Sequence, residues 1–255
     1  MKLQLWRNAT LELTIGDWKL LVDPMLGEKG SFGPFPWTDD KRDNPLVDLP
    51  FTKEELKRKL NQINAIFVSH LHPDHFDQAA IDLIDKDKTI ICPYTLTKTI
   101  KSYGFRSVIE IRDGLNLNGI NLQLTMGRHG EGEIGKLMGP VYGLVISQGS
   151  NSIYIAGDTV WCPEVGSIVE FYKPKHMIVA GGAATFQMGN PVTMNAQDIK
   201  ELADFTSGSS IWLTHLEAIS PCQEGRDFLV EFIKQNNLSG RVFVPKDGEE
   251  FELKF

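Results

Sequence analysis

His70-Leu71-His72-Pro73-Asp74-His75 places four metal-capable side chains in six residues, directly after the apolar run Ala65-Ile66-Phe67-Val68-Ser69. The chain has only six histidines, so three at one strand end is a concentration that composition alone does not explain. A solvated loop holds one or two histidines for polarity; three with an aspartate read as metal chemistry. Imidazole nitrogens and a carboxylate suit zinc, manganese or iron, and their spacing lets one tight turn aim several ligands into one cavity. Pro73 restricts the backbone between them. The plainer reading is a polar strand-to-helix turn in which Asp74 or Asp77 serves as helix N-cap.

Three further positions bear on that choice. His129 lies in Gly127-Arg128-His129-Gly130, just past a predicted strand. Asp158 lies in Ala156-Gly157-Asp158-Thr159, after the strand Ser152-Ile153-Tyr154-Ile155, and His215 ends the strand Ile211-Trp212-Leu213-Thr214. The C-terminal edges of strands are where side chains from non-adjacent strands converge on one crevice. Taken singly, His129 is a loop histidine, Asp158 a turn aspartate and His215 a satisfied strand-end histidine. With the first cluster, all those plain readings would have to hold together. His176, entering a strand in Lys175-His176-Met177 with no partner motif, reads as structural.

At 255 residues the chain is long enough to bury a substantial core without staples. Its three cysteines, Cys92, Cys162 and Cys222, are odd in number, far apart and in no CxxC pair, which suggests neither a disulfide framework nor a thiolate zinc site. A reducing, cytoplasmic setting is the expectation. The opening Met1-Lys2-Leu3-Gln4-Leu5-Trp6-Arg7-Asn8 lacks the pattern of a signal peptide, and no later segment reaches the ~18 uninterrupted apolar residues of a membrane span. The net charge of -7 disfavours a polyanion-binding face, so no nucleic-acid partner is expected.

Strand and helix patterns alternate along the chain. Residues 2 to 6, 10 to 15 and 19 to 22 read as a meander of short strands. From 26 to 50 runs a long irregular loop rich in Gly, Pro, Asp and aromatics, and loops of that length are usually functional or mobile. Thr52 and Glu55 form a capping box that opens a helix. Then come a buried strand at 65 to 69, helix 79 to 85, strand 89 to 92, helix 94 to 103, and strands at 107 to 111 and 119 to 126. The second half repeats the logic: strands 141 to 147 and 152 to 156, helix 163 to 172, strand 176 to 180, and a helix from about 195 capped by Asn195. A strand at 211 to 213, a helix at 223 to 236 and strands near 241 to 244 and 250 to 254 close the chain. An antiparallel start with β-α alternation in each half predicts an α/β protein, two mixed β-sheets packed together with helices outside, in a single domain over 1–255.

An HxHxDH cluster, then a histidine, an aspartate in a Gly-Asp-Thr turn and a last histidine, in that order, resembles the metallo-β-lactamase-fold hydrolases. The meander ending in Leu21-Val22-Asp23-Pro24 resembles the opening of that superfamily, so the resemblance spans the chain. Within it the sequence is similar to the bacterial branch that includes ascorbate-6-phosphate lactonase, as Val192-Thr193-Met194-Asn195-Ala196 also suggests. The pattern is specific for the fold and weakly specific for substrate. Many members carry Gly-His-Ser or Gly-His-Ala after the first strand, where this chain has Arg7-Asn8-Ala9; the departure is expected to leave the metal site untouched.

The resemblance implies a four-layer αββα sandwich and a binuclear centre in which His70, His72 and His129 bind one metal, Asp74, His75 and His215 the other, and Asp158 bridges them. Two divalent ions are implied, zinc first, with manganese or iron as alternatives. Two cations ~3.5 to 4 Å apart require carboxylates beside neutral imidazoles, and they lower the pKa of a bound water to about 7. Asp74 and Asp158 are thus the expected catalytic carboxylates, with Asp74 also orienting the hydroxide. Asp23 is a candidate outer partner for a ligand histidine, against a plain role as a turn aspartate. Trp37, with Phe32 and Phe35, is a candidate pocket wall, and Trp161, Met188 and Asn190 are candidates for the entrance; loop aromatics more often pin a loop to the core. Arg128 and Lys136 read first as solvated surface cations. The expected activity is metal-dependent, lactonase-like hydrolysis of an ester or lactone bond in a small metabolite. The alternatives are a phosphodiesterase on a small phosphodiester and an iron-dependent redox enzyme. No membrane partner is expected, and a homo-oligomer is left open.

Overall fold

The computed structural model describes every residue except Ser207 and divides by its contacts into two compact units. The first comprises residues 1–33, 43–112 and 246–254; the second comprises 34–42, 113–245 and 255. Each carries one mixed seven-stranded sheet.

In the first unit, β1 (Lys2–Arg7), β2 (Thr10–Ile15) and β3 (Trp18–Val22) form the antiparallel meander. Both of its turns have two residues. Asn8 at φ 55° opens the first and Gly16 at φ 58° the second, positions where a short hairpin demands a left-handed residue. The chain then crosses through the long loop and α1 (Lys53–Gln62) to β4 (Ala65–Phe67), which pairs parallel with β3. The Thr52 hydroxyl accepts from Glu55 N–H while the Glu55 carboxylate accepts from Thr52 N–H, the expected capping box. α2 (Gln78–Leu83), β5 (Thr89–Pro93), α3 (Thr97–Ser102) and β6 (Val108–Ile111) continue the parallel run, and β14 (Glu250–Glu252) closes the other edge against β1. The predicted helix over 94 to 103 is shorter: Tyr94–Leu96 is a 3-10 turn, set after Pro93 ends β5. Leu56 and Leu60 of α1, Ala80 of α2 and Ile100 of α3 pack with Ile66, Ile90 and Cys92 in this unit's core.

In the second unit, β7 (Gly114–Leu117), β8 (Ile120–Met126), β9 (Tyr142–Gln148) and β10 (Asn151–Ile155) run antiparallel; β11 (His176–Ala180), β12 (Ser210–Thr214) and β13 (Val242–Phe243) add parallel strands beyond β10. β7 lies outside the strands expected from the sequence. Its signal is Asn118-Gly119, with φ of 53° and 80°, joining Leu117 to Ile120 as a two-residue turn. α4 (Gly132–Met138) likewise falls outside the expected elements, because its two glycines and lack of a side-chain cap disguise a helix. α5 (Pro163–Tyr172), α6 (Ala196–Phe205) and α7 (Arg226–Gln235) agree with expectation, with Asn195 capping α6 through Asp198 N–H at 2.9 Å. α7 begins at Arg226, later than predicted, because Gly225 is its N-cap. Val165 and Val169 of α5 and Ile199, Leu202 and Ala203 of α6 pack against Met177, Val179, Ile211 and Leu213. His176 is buried in its strand and accepts from Trp212 Nε1–H at 3.3 Å, a structural role.

Candidate metal centre

In the first unit the candidate ligand cluster follows the end of β4. Asp23, just past β3, donates its N–H to Phe67 O, so the two strand ends leave the sheet together. The Asp23 carboxylate then accepts Ser69 N–H at 2.7 Å on Oδ1 and Ser69 Oγ–H at 2.7 Å on Oδ2, and Oδ2 lies 2.9 Å from His75 Nδ1. Ser69 Oγ is in turn 2.9 Å from His70 Nδ1. Both imidazoles are therefore oriented through Nδ1, and their Nε2 atoms face the other candidates. His70 Nε2 is 3.0 Å from His72 Nδ1, and His75 Nε2 is 3.5 Å from Asp74 Oδ2. His70, Asp74 and His75 are buried and His72 is half-buried.

The plainer reading of this turn divides between its two aspartates. Asp77 caps α2, accepting Ala80 N–H at 2.7 Å, and Asp74 takes no such part. Asp23, His70 and His75 also bring donor atoms within 4.8 Å of one another. Asp23 nevertheless spends its oxygens on Ser69 and His75, an arrangement that fits the orienting carboxylate a ligand imidazole would require. Two ligands about 2.1 Å from one tetrahedral ion stand about 3.4 Å apart. The His70–His72 and His75–Asp74 separations of 3.0 and 3.5 Å match that spacing, and the donors are imidazole and carboxylate, so these residues fit divalent metal.

In the second unit, Asp158 stands between two histidines. Its Oδ2 is 3.0 Å from His215 Nε2 and 3.9 Å from His129 Nε2, and all three side chains are buried. His129 Nδ1 lies 2.9 Å from Val192 O, which fixes the ring with Nε2 toward the aspartate. His215 Nδ1 lies 3.4 Å from Cys222 Sγ. The turns that carry these residues are locked together. Arg128 N–H donates to Thr159 Oγ1 and Val160 N–H to Arg128 O, both at 2.9 Å. Gly127 permits that approach, since a Cβ there would stand 2.4 Å from Thr159 Oγ1. His215 itself adopts φ 58°, a strained conformation of the kind that clusters at functional sites.

The remaining candidates separate by environment. Trp37, at φ 57°, is 46% exposed, and its carbonyl accepts Gln187 N–H at 2.7 Å, which sets it beside Met188, 47% exposed. Phe35 meets Phe186 edge-on, with ring centroids 6.5 Å apart, and pins the same two segments. Asn190 is exposed on that second segment, which returns to Val192 and the His129 ring. Trp161 is half-buried and packs edge-on against Phe205 of α6 at 5.2 Å. Arg128 is ion-paired to Glu164 at 2.9 Å and Lys136 to Glu133 at 2.5 Å. Sequence reasoning missed Ser69, Cys222 and Asn8. Asn8 Nδ2 donates to Asp74 O at 3.1 Å and to Asp74 Oδ2 at 3.3 Å, so the Arg7-Asn8-Ala9 stretch contacts a candidate ligand.

The comparisons agree with this geometry. The family model for the β-lactamase superfamily domain matches residues 19–216. The UPF0173 protein YddR of Bacillus subtilis is 35% identical over 250 residues, covering 96% of this chain and 97% of its own. Among solved structures, a possible metal-dependent hydrolase from Veillonella parvula superposes with TM-score 0.94 at 30% identity, and an isothiocyanate hydrolase from Delia radicum gut bacteria with TM-score 0.93 at 31% identity; each covers 99% of both chains. With two mixed seven-stranded sheets flanked by helices, His/Asp clusters able to bind metal and full-length relatives at this identity, the chain belongs to the β-lactamase superfamily domain family and to its UPF0173 metal-dependent hydrolases.

Proposed function

We propose that His70, His72, Asp74, His75, His129, Asp158 and His215 form one binuclear metal centre in a single hydrolase domain, and that the protein cleaves an ester or lactone bond of a small, largely apolar metabolite. The observation that carries this reading is the Asp158 carboxylate set between His129 and His215, complementing a second imidazole-carboxylate group at 70 to 75. His70, His72 and His129 would hold one ion, Asp74, His75 and His215 the other, with Asp158 shared. Zinc is the first choice for this N/O donor set, with manganese or iron as alternatives. Bound there, two divalent ions supply a water acidified to about pKa 7 and an electrophilic pull on the bond to be cut. Asp74 would accept a hydrogen bond from the attacking water and so fix its direction. Asp23 and Ser69 hold the His70 and His75 rings through the reaction.

Trp37 and Met188 would form an apolar wall for the substrate's substituent, with Asn190 and Trp161 as further pocket candidates. The internal pairing of Arg128 and Lys136 with glutamates favours a neutral substrate over a phosphodiester.

A second reading is isothiocyanate hydrolysis, favoured by the 31% identity to the isothiocyanate hydrolase along 99% of both chains. Water adds across the C=N bond of R–N=C=S to give a thiocarbamic acid, which releases carbonyl sulfide and leaves the amine. Both readings ask the site to deliver water to an electrophilic carbon. Zinc-loaded protein assayed with an aryl acetate, a γ-lactone, phenyl isothiocyanate and a bis-aryl phosphate separates them. Turnover of the ester or lactone supports the first reading and turnover of the isothiocyanate alone the second. Turnover of the phosphate alone overturns both.

A further inference from the structure

We propose that Asn8 positions the Asp74 carboxylate for metal binding, an inference that rests on the reading of Asp74 as a ligand. Asn8 is 2% exposed, in the two-residue turn between β1 and β2. Its amide nitrogen spans the ligand residue, donating to Asp74 O at 3.1 Å and to Asp74 Oδ2 at 3.3 Å. The backbone bond fixes where the Asp74 main chain sits, and the side-chain bond fixes which way the carboxylate turns. That carboxylate oxygen is the same Oδ2 that lies 3.5 Å from His75 Nε2. Asn8 therefore acts on the one oxygen shared with the neighbouring imidazole.

The turn alone does not account for this residue. At φ 55° the backbone accepts glycine, aspartate or asparagine, so the hairpin leaves the side chain open. The asparagine carries a cost besides: its Oδ1 is buried with no hydrogen-bond partner among the described residues. A glycine would close the turn without burying that acceptor. What the amide supplies in return is two N–H donors directed at Asp74. A neutral donor there holds the carboxylate in place while leaving its charge available to a cation, which a lysine or arginine would neutralise.

The test compares zinc affinity and cobalt absorption spectra of the wild type, Asn8→Gly, Asn8→His and Asp74→Ala. Asn8→Gly keeps the left-handed backbone, so the melting temperature of the metal-free protein should hold. Competition with a chromophoric chelator should show one of two zinc ions bound 10–100-fold more weakly, the usual cost of losing an outer-shell partner. The visible bands of the cobalt form should shift. Asn8→His returns a donor and should recover most of the affinity. Asp74→Ala should lose one ion. Wild-type affinities and spectrum in Asn8→Gly, with Asp74→Ala impaired, would overturn the role of Asn8 alone. Two ions bound at wild-type affinity by Asp74→Ala would overturn the ligand reading beneath it.

Discussion

Arg7 takes a guanidinium into the interior of the first unit at 0% exposure and spends it on backbone carbonyls: Met25 O at 2.8 Å, Gly27 O at 2.9 Å and Val47 O at 2.9 Å. Burial pulls its pKa down to about 10 against the opposing pull of Asp77, Asp247 and Asp48, so it stays charged at neutral pH. Replacing it with leucine leaves three carbonyls without donors and should cost about 3 kcal/mol, read as a lowered urea midpoint at pH 7. A loss under about 1 kcal/mol would show that water satisfies those carbonyls. Glu12 makes the opposite case. Burial pushes its carboxyl up, but hydrogen bonds from Lys19 at 2.6 Å and Lys59 at 2.7 Å outweigh it and leave the pKa below the ordinary glutamate value. A depressed carboxyl contributes stability above the unfolded value, about 4.3, and loses it as pH falls through the lower folded value. Melting temperature should therefore fall more steeply below about pH 4.3 in the wild type than in Glu12→Gln. Parallel curves would remove Glu12 from the acid response. Of this detail the sequence shows little. His70, Asp74, His129, Asp158 and His215 announce themselves by type and order, whereas Arg7, Asn8 and Ser69 act through three-dimensional contacts that no spacing encodes.

Turns, more than strands or helices, carry the candidate ligand residues. In the second unit, Gly127 lets the His129 turn close onto Thr159, and a Cβ there would lie 2.4 Å from the Thr159 hydroxyl oxygen. Gly127→Ala should cost about 1–3 kcal/mol by overpacking, with weaker zinc binding as the turns separate. Urea unfolding and a zinc titration on the same sample check both, and unchanged zinc binding would uncouple the turn from the site. Asn195→Ala, which removes the α6 cap 2.9 Å from Asp198 N–H, should cost about 1 kcal/mol and leave zinc binding alone. Elements with strong local chemistry were legible: the Thr52–Glu55 box, the Asn195 cap and the buried runs that became β4, β11 and β12. α4 was not, because Gly132 and Gly135 give it poor propensity, and Gly135 sits where a Cβ would strike Gly130 O. β7 is legible in Asn118-Gly119 and in the alternation of Gly114-Leu115-Asn116-Leu117, but four residues with no buried side chain make a weak strand signal.

At the scale of the whole chain, the ordered set of seven histidines and aspartates points to the fold family, and the two seven-stranded sheets and full-length relatives bear that out. No helix among the described residues is long and apolar enough to cross a membrane. Substrate identity was not legible, because residues such as Trp37 and Met188 sit on loops whose sequence follows no period. The central proposal is that these seven residues bind one pair of metals. X-ray absorption at the zinc edge, on protein loaded with two zinc ions per chain, tests it. A shared centre gives nitrogen and oxygen neighbours near 2.0 to 2.1 Å and a metal–metal vector at about 3.5 to 4 Å. Two zinc ions bound with no metal–metal vector in that range would contradict a binuclear centre.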